Sequence, residues 1–324
     1  MKRIKSLILL CVLCMTGILT GCNATGSTDD KITIVCTNFA LYDWTSQLIG
    51  DSEAEVILLL NNGADMHSFQ PSAEEMIQIA NCDMLVHIGG ESDAWLKDAL
   101  ETNPNEERVV VNLMDVLKDD VRTEYYPEGM QEEHAHEETH AHESAVDEHI
   151  WLSLRLALKS CKAIEEALCL VMPDAADTIC VNADAYCKEL NALDQTYAQV
   201  MANNNKGRAV IVADRFPFLY MMEDYGMQYY GAFPGCSTES EADFETVVFL
   251  AEKVKEQNTK VLLITESGTD TLAQTVYENI NASGDTAILH SMQVVYQSDI
   301  EAGATYLGYM EENLRVLEQV LLYE

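Results

Sequence analysis

Twice along the chain, short apolar, β-branched runs alternate with helix-length amphipathic segments. Between the two series lies one long helical pattern. In the first series KITIVCTN (31–38), EVILLLNN (55–62), MLVHIGG and RVVVNL read as strands. LYDWTSQLI, SAEEMIQIANC (72–82) and SDAWLKDAL read as the intervening helices. Ser72, three residues before Glu75, predicts a capping box at the start of the second helix. The second series runs RAVIVA, FPFLYMMEDYG, MQYYGAF, ESEADFETVVFLAEKVKEQ, KVLLITES, TDTLAQTVYENI and AILHSM, and YLGYMEENLRVLEQVLL closes it as a helix. Such βα alternation predicts mostly parallel sheets covered by helices. IWLSLRLALKSCKAIEEALCLV is a further helix that Pro173 ends, and 174–203 then keeps helical apolar spacing for about thirty residues. The expected fold is α/β: two βα lobes joined by a single long, rigid helix, with a ligand cleft between them. The N-terminal lobe is expected over 31–173, the linker helix over 174–204 and the C-terminal lobe over 205–324.

The first residues carry a different message. Lys2, Arg3 and Lys5 precede an apolar run from Ser6 to Leu19, too short for a comfortable membrane span. That pattern predicts a signal peptide over 1–21. Leu19-Thr20-Gly21-Cys22 resembles a bacterial lipobox, so Cys22 is the expected lipidation site, followed by a tether over 22–30. The expected location is extracytoplasmic, anchored by lipid to the bacterial cell membrane. The composition holds 19 Lys+Arg against 54 Asp+Glu, a formal net charge of −35. Such a charge excludes nucleic acid as a partner and draws cations. Of ten cysteines, Cys36, Cys82, Cys161, Cys169, Cys180, Cys187 and Cys236 lie beyond Cys22. With no CxxC pair, they read as small core residues, free rather than bridged. Cys180 and Cys187 sit two helical turns apart, too far to pair.

Open α/β sheets place ligands at the C-terminal ends of their strands. His67 follows EVILLLNN, His149 precedes IWLSL, Glu266 ends KVLLITES and His290 lies in AILHSM. Three imidazoles and a carboxylate there would make a divalent-metal site. His87, inside a strand, reads as structural. From about 115 to 148 apolar periodicity stops in an acidic, His-rich stretch that a loop of function would explain. His136-Glu137-Glu138-Thr139-His140 formally matches the HExxH zinc-protease signature. The flanks, however, lack the apolar stripe that would dock such a helix. The pairs His134/His136 and His140/His142 instead suit a metal-collecting loop, each pair sharing one side of an extended chain.

GADMHSFQPS, around His67, and DEHIWLSL, around His149, resemble the two ligand motifs of the zinc- and manganese-receptor lipoproteins of bacterial ABC importers. Glu148 stands where that family has proline. Asn182, Tyr186 and Leu190 in the long helix, and the ending TYLGYMEENL, also match its habits. The resemblance implies a non-enzymatic, monomeric receptor that captures a divalent metal and hands it to a permease and its ATPase. The family's third ligand is usually a histidine opening the helix that ends in Tyr-Gly, and Arg215 takes that place here. A guanidinium cannot ligate, so Asp214 is an alternative oxygen donor, or a helix cap. His290, near the family's late acidic ligand, is expected to replace the missing imidazole. Glu266 is expected as an oxygen ligand, or as a partner for Arg215.

Three neutral nitrogens with at most one carboxylate favour Zn2+ over Mn2+ as the cargo. The alternatives are a manganese receptor, a receptor for an anionic metal chelate with Arg215 as counter-charge, a zinc hydrolase using the HEETH segment, and a surface adhesion protein.

Overall fold

The computed structural model describes residues 31–61, 63–125, 127–131, 146–204, 207–237 and 241–322. Its first half runs β1 (Ile32–Cys36), α1 (Phe39–Ile49), β2 (Ala54–Leu58), α2 (Ala73–Asn81), β3 (Met84–His87), α3 (Trp95–Thr102), β4 (Val109–Asn112) and a short α4 (Leu113–Val116). Two helices follow, α5 (Leu154–Val171) and α6 (Ala176–Asn204). The second half runs β5 (Ala209–Phe216), α7 (Leu219–Asp224), β6 (Gln228–Pro234), α8 (Phe244–Gln257), β7 (Val261–Ile264), α9 (Asp270–Asn279), β8 (Asp285–Ile288), α10 (Gln297–Glu301) and α11 (Tyr306–Leu322). Cys22 and the four histidines of the expected collecting loop lie outside the described residues. No helix among the described residues is long and apolar enough to cross a membrane.

Each half builds a four-stranded parallel sheet, ordered β2-β1-β3-β4 in one and β6-β5-β7-β8 in the other. The strands are apolar on both faces because helices cover both. Alternate residues of β1 separate accordingly. Ile34 and Cys36 join the central core, while Val35 packs on the outer face with Leu59, Ile79 and Leu96. In β5, Val210 and Val212 face the central core, and Ile211 and Ala213 face α8 and α9. The expected capping box is present at α2, with Ser72 accepting from Glu75 and Glu75 accepting from Ser72.

The long helix α6 is 29 residues, about 44 Å at 1.5 Å per residue. Its buried residues are Ile179, Ala183, Tyr186, Leu190, Leu193, Tyr197 and Met201. Steps of three and four keep them on one stripe, which enters the central core shared by both sheets. Polar anchors fix its register. Asn182 donates to the Leu48 carbonyl at 3.1 Å, closing the end of α1, and Tyr197 donates to the Met310 carbonyl of α11 at 2.5 Å. Tyr186 donates to the buried Asp43 carboxylate at 3.3 Å, which also accepts from the Tyr306 backbone N–H at 3.1 Å. Burial pushes the Asp43 carboxyl up, against the hydrogen bonds from Tyr306, Gln47 and Tyr186.

Some elements differ from the sequence expectation. β5 continues past RAVIVA to Phe216, and its pairing with β6 shifts register between Val212 and Arg215. Pro217 follows, so α7 starts only at Leu219. Arg215 therefore belongs to a strand and not to a helix start, and Asp214 caps no helix. β8 ends at Ile288, leaving His290 in the following loop. The ends of the His-rich stretch are fixed: Thr123 bridges Val146, and Asp147 N–H donates to the Arg122 carbonyl at 2.9 Å.

Removing the Asp43 carboxylate leaves a buried tyrosine hydroxyl and a backbone N–H unpaired, each costing about 1–3 kcal/mol. Asp43→Ala is expected to lower stability by about 3 kcal/mol on this basis, and Asp43→Asn by clearly less. Urea denaturation checks the order.

Candidate metal centre

The side chains of interest come from loops at the C-terminal ends of four strands, and from the peptide that enters α5. His67 lies between β2 and α2, Ser92 in a 3-10 turn after β3, Cys236 just past β6 and Gln293 past β8. Asp147, Glu148 and His149 precede the 3-10 turn Ile150–Leu152 that leads into α5. The Trp151 indole donates to the Ser291 carbonyl at 2.8 Å, and the Tyr306 hydroxyl donates to the Trp151 carbonyl at 2.6 Å. These bonds seat the His149 peptide against the loop that carries Gln293.

His67 and His149 meet edge to face, with ring centroids 5.6 Å apart. His149 is fully buried, and the His67 side chain is 7% exposed. Each Nδ1 has a fixed partner. Asp147 Oδ1 lies 3.0 Å from Nδ1 of His149 and also accepts its backbone N–H at 2.8 Å. Ser92 Oγ lies 2.8 Å and Glu148 Oε1 3.2 Å from Nδ1 of His67. Both Nε2 atoms face the Gln293 amide nitrogen, at 2.7 Å from His67 and 2.9 Å from His149. With carboxylates at Nδ1 and an amide N–H donor at Nε2, each neutral imidazole carries its proton on Nδ1. The Nε2 lone pairs then point to a common place.

Glu148 is 2% exposed, and its carboxylate accepts from the Ser92 backbone N–H at 3.1 Å and from the Ser92 hydroxyl. Burial alone would raise this carboxyl. Hydrogen bonds from His67 and Ser92, with His149 beside it, hold it at about 2 instead. Burial would lower the pKa of His149, but Asp147 and Glu148 raise it above the ordinary imidazole value. Gly90 makes room for the carboxylate: a Cβ there would stand 2.0 Å from Glu148 Oε2.

The thiol of Cys236 completes the cluster. Ligand atoms of His67, His149 and Cys236 all lie within 4.8 Å of one another. Burial pushes this thiol well above the ordinary range, and the Glu148 charge adds to the effect.

The other expected site residues are placed elsewhere. The His290 ring lies 4.7 Å from that of Tyr309, its Nε2 is 3.5 Å from Glu312, and Asn313 brackets its backbone at both N–H and carbonyl. It turns to α11, and the loop geometry after Ile288 is the reason. The Glu266 carboxylate accepts from Ser291 N–H and Oγ, both at 2.7 Å, and from Val294 N–H at 3.2 Å. It shapes the loop that holds Gln293 and does not pair with Arg215. Arg215 donates to Asp65 at 2.7 Å and to Ser267 at 2.9 Å. Asp214 accepts from Thr265 N–H and Oγ1. Arg215 and Asp214 line a neighbouring cavity of about 650 Å³ that Ser68 and Ser237 flank and the two histidines do not line. His87 is buried, 3.5 Å from Asp93. Among the other cysteines the close pair is Cys169 and Cys180, with Sγ atoms 4.0 Å apart, where α5 ends and α6 begins.

Two parallel α/β lobes spanned by one long helix, with two buried imidazoles of the first meeting Cys236 and Gln293 of the second, are the build of a metal-binding solute-binding protein. The chain belongs to the family of the zinc-uptake complex component A, periplasmic, whose model matches residues 34–320. The zinc-binding lipoprotein AdcA of Streptococcus pneumoniae serotype 4 is 30% identical over 98% of this chain, which spans only 61% of that relative's length. The high-affinity zinc uptake system protein ZnuA of Bacillus subtilis is 26% identical, over 92% of this chain and 91% of that one. The Zn(II)-bound ZnuA-like domain of pneumococcal AdcA superposes with a TM-score of 0.70 at 25% identity, covering 90% of this chain and 99% of that one. The periplasmic zinc binding protein TroA of Treponema pallidum shares the fold, with a TM-score of 0.72 at 19% identity over 90% of this chain and 100% of its own.

The Glu148 pKa lies below its ordinary 4.5. Its ionised form therefore contributes stability that is complete above about 4.5 and is lost as pH falls through about 2. Glu148→Gln is expected to flatten the stability profile across that window. Urea denaturation of both forms between those pH values checks it.

Proposed function

We propose that the chain is an extracytoplasmic receptor that captures a divalent transition metal, Zn2+ first, and delivers it to the permease of an ABC importer with its ATPase. Lipidation at Cys22 would hold it to the membrane surface, and it performs no catalysis. The observation that carries this reading is the pair of imidazoles with both Nδ1 atoms held by buried acceptors and both Nε2 atoms turned to one point. Nitrogen ligands so prepared suit zinc. The names of the relatives, a zinc-binding lipoprotein and a zinc uptake protein, support the same cargo. Arg215, already engaged by Asp65, offers little counter-charge to an anionic chelate. His134, His136, His140 and His142 are proposed as a collecting loop that raises the local ion concentration.

In this reading His67 and His149 are ligands, while Ser92, Glu148 and Asp147 orient them. His67→Ala and His149→Ala are expected to weaken tight zinc binding by more than about 100-fold, beyond the 10–100-fold typical of losing an orienting partner. Asp147→Asn should fall in that smaller range. His290→Ala should leave the tight site unchanged. Deleting 132–143 should remove weak sites only. Zinc titration in a chelator-buffered series measures all five variants. Unchanged affinity in both His67→Ala and His149→Ala would sink the assignment.

A further inference from the structure

We propose that Cys236 is the third ligand and selects the ion, admitting thiophilic cations such as zinc and cadmium and rejecting manganese. The inference rests on the function proposed above and names what that site discriminates. Its ground is the placement of the sulfur. Ligand atoms of His67, His149 and Cys236 lie within 4.8 Å of one another. An ion with about 2.0–2.1 Å bonds to nitrogen and about 2.3 Å to sulfur spreads tetrahedral ligands over about 3.3–3.6 Å. The thiol donates to Glu148 Oε1 across 3.8 Å, a long contact for an ion to displace.

The turn that delivers this sulfur is built for the approach. A Cβ on Gly235 would stand 2.7 Å from His149 Cε1 and 2.9 Å from Pro217 Cα. Glycine therefore lets the chain pass against the imidazole and set the next residue beside it.

Gln293 supplies the fourth group. Its amide nitrogen now bridges both Nε2 atoms, in the place an ion would take. Turning the amide over presents Oε1 to the ion without moving the backbone. The Ser291 hydroxyl, 3.2 Å from Oε1, gives its proton to Glu266 at 2.7 Å and keeps lone pairs to receive the turned NH2. The resulting set is two neutral nitrogens, one thiolate and one neutral amide oxygen. Binding exchanges the thiol proton for the ion: M2+ and R–SH give the singly charged cation (M–S–R)+ and one H+ released to solvent. Manganese prefers oxygen ligands and gains little from a thiolate.

The test uses the full chain, with free zinc, manganese and cobalt(II) held by chelator buffers so that the tight site fills alone. The wild type is expected to prefer zinc to manganese strongly and to show the near-ultraviolet sulfur-to-cobalt charge-transfer absorption. Cys236→Ser should lose that absorption. Cys236→Asp should lose it too and lower the zinc-to-manganese preference at least tenfold. A preference ratio cancels the cost of disturbing the ion-free site, which both metals share. Wild-type protein that binds cobalt tightly without the charge-transfer band, or a ratio unchanged in Cys236→Asp, overturns the proposal. Both results leave the receptor function standing. A wild type that takes up no ion tightly overturns the receptor function and this inference together.

Discussion

A buried carboxylate needs a partner, and Asp147 and Glu148 find theirs in the two imidazoles of the cleft. The backbone from 147 to 149 is held by the same bonds, since Asp147 accepts both the N–H and the Nδ1 of His149. Glu148 reaches the other way, to Ser92 and His67. One tripeptide thus joins the loops after β2 and β3 to the start of α5. Breaking either pair leaves a buried charge uncompensated, which costs far more than the pair contributes. The arrangement fixes tautomer and aim at once, and a metal site needs both.

The wider fold keeps that tripeptide in register with the second sheet. Trp151 donates to Ser291, Tyr306 donates to Trp151, and Asp43 accepts from Tyr306 and Tyr186. This chain of bonds runs from the Gln293 loop through the start of α11 to α1 and α6. The central apolar core extends along the same elements. A cleft braced in this way holds its ligands with little freedom to lose, so an ion meets imidazoles that are already oriented.

The architecture was legible because parallel strands covered on both faces must be apolar throughout, and the helices between them carry a distinct period. His67 and His149 were legible from their motif flanks. Cys236 and Gln293 were not: each is a single residue in a turn, and no spacing rule ties it to a histidine about 90 or 140 residues away. The PGC turn after MQYYGAF, at the C-terminal end of a predicted strand, is the one sequence feature that could have singled out Cys236. His290 was misplaced by the strand boundary. AILHSM reads as a strand, but pairing with β7 stops at Ile288, and the ring then falls toward Tyr309. Arg215 was assigned to a helix start because the resemblance sets a helix-opening histidine at that place, and the helical spacing of FPFLYMMEDYG cannot show that β5 continues to Phe216.

The most direct measurement is anomalous diffraction at the zinc edge from crystals of the zinc-loaded protein. One strong peak is expected in the cleft, about 2.0–2.1 Å from Nε2 of both His67 and His149. A peak at His290 or Glu266, with His67 and His149 still bridged by Gln293, would contradict the account.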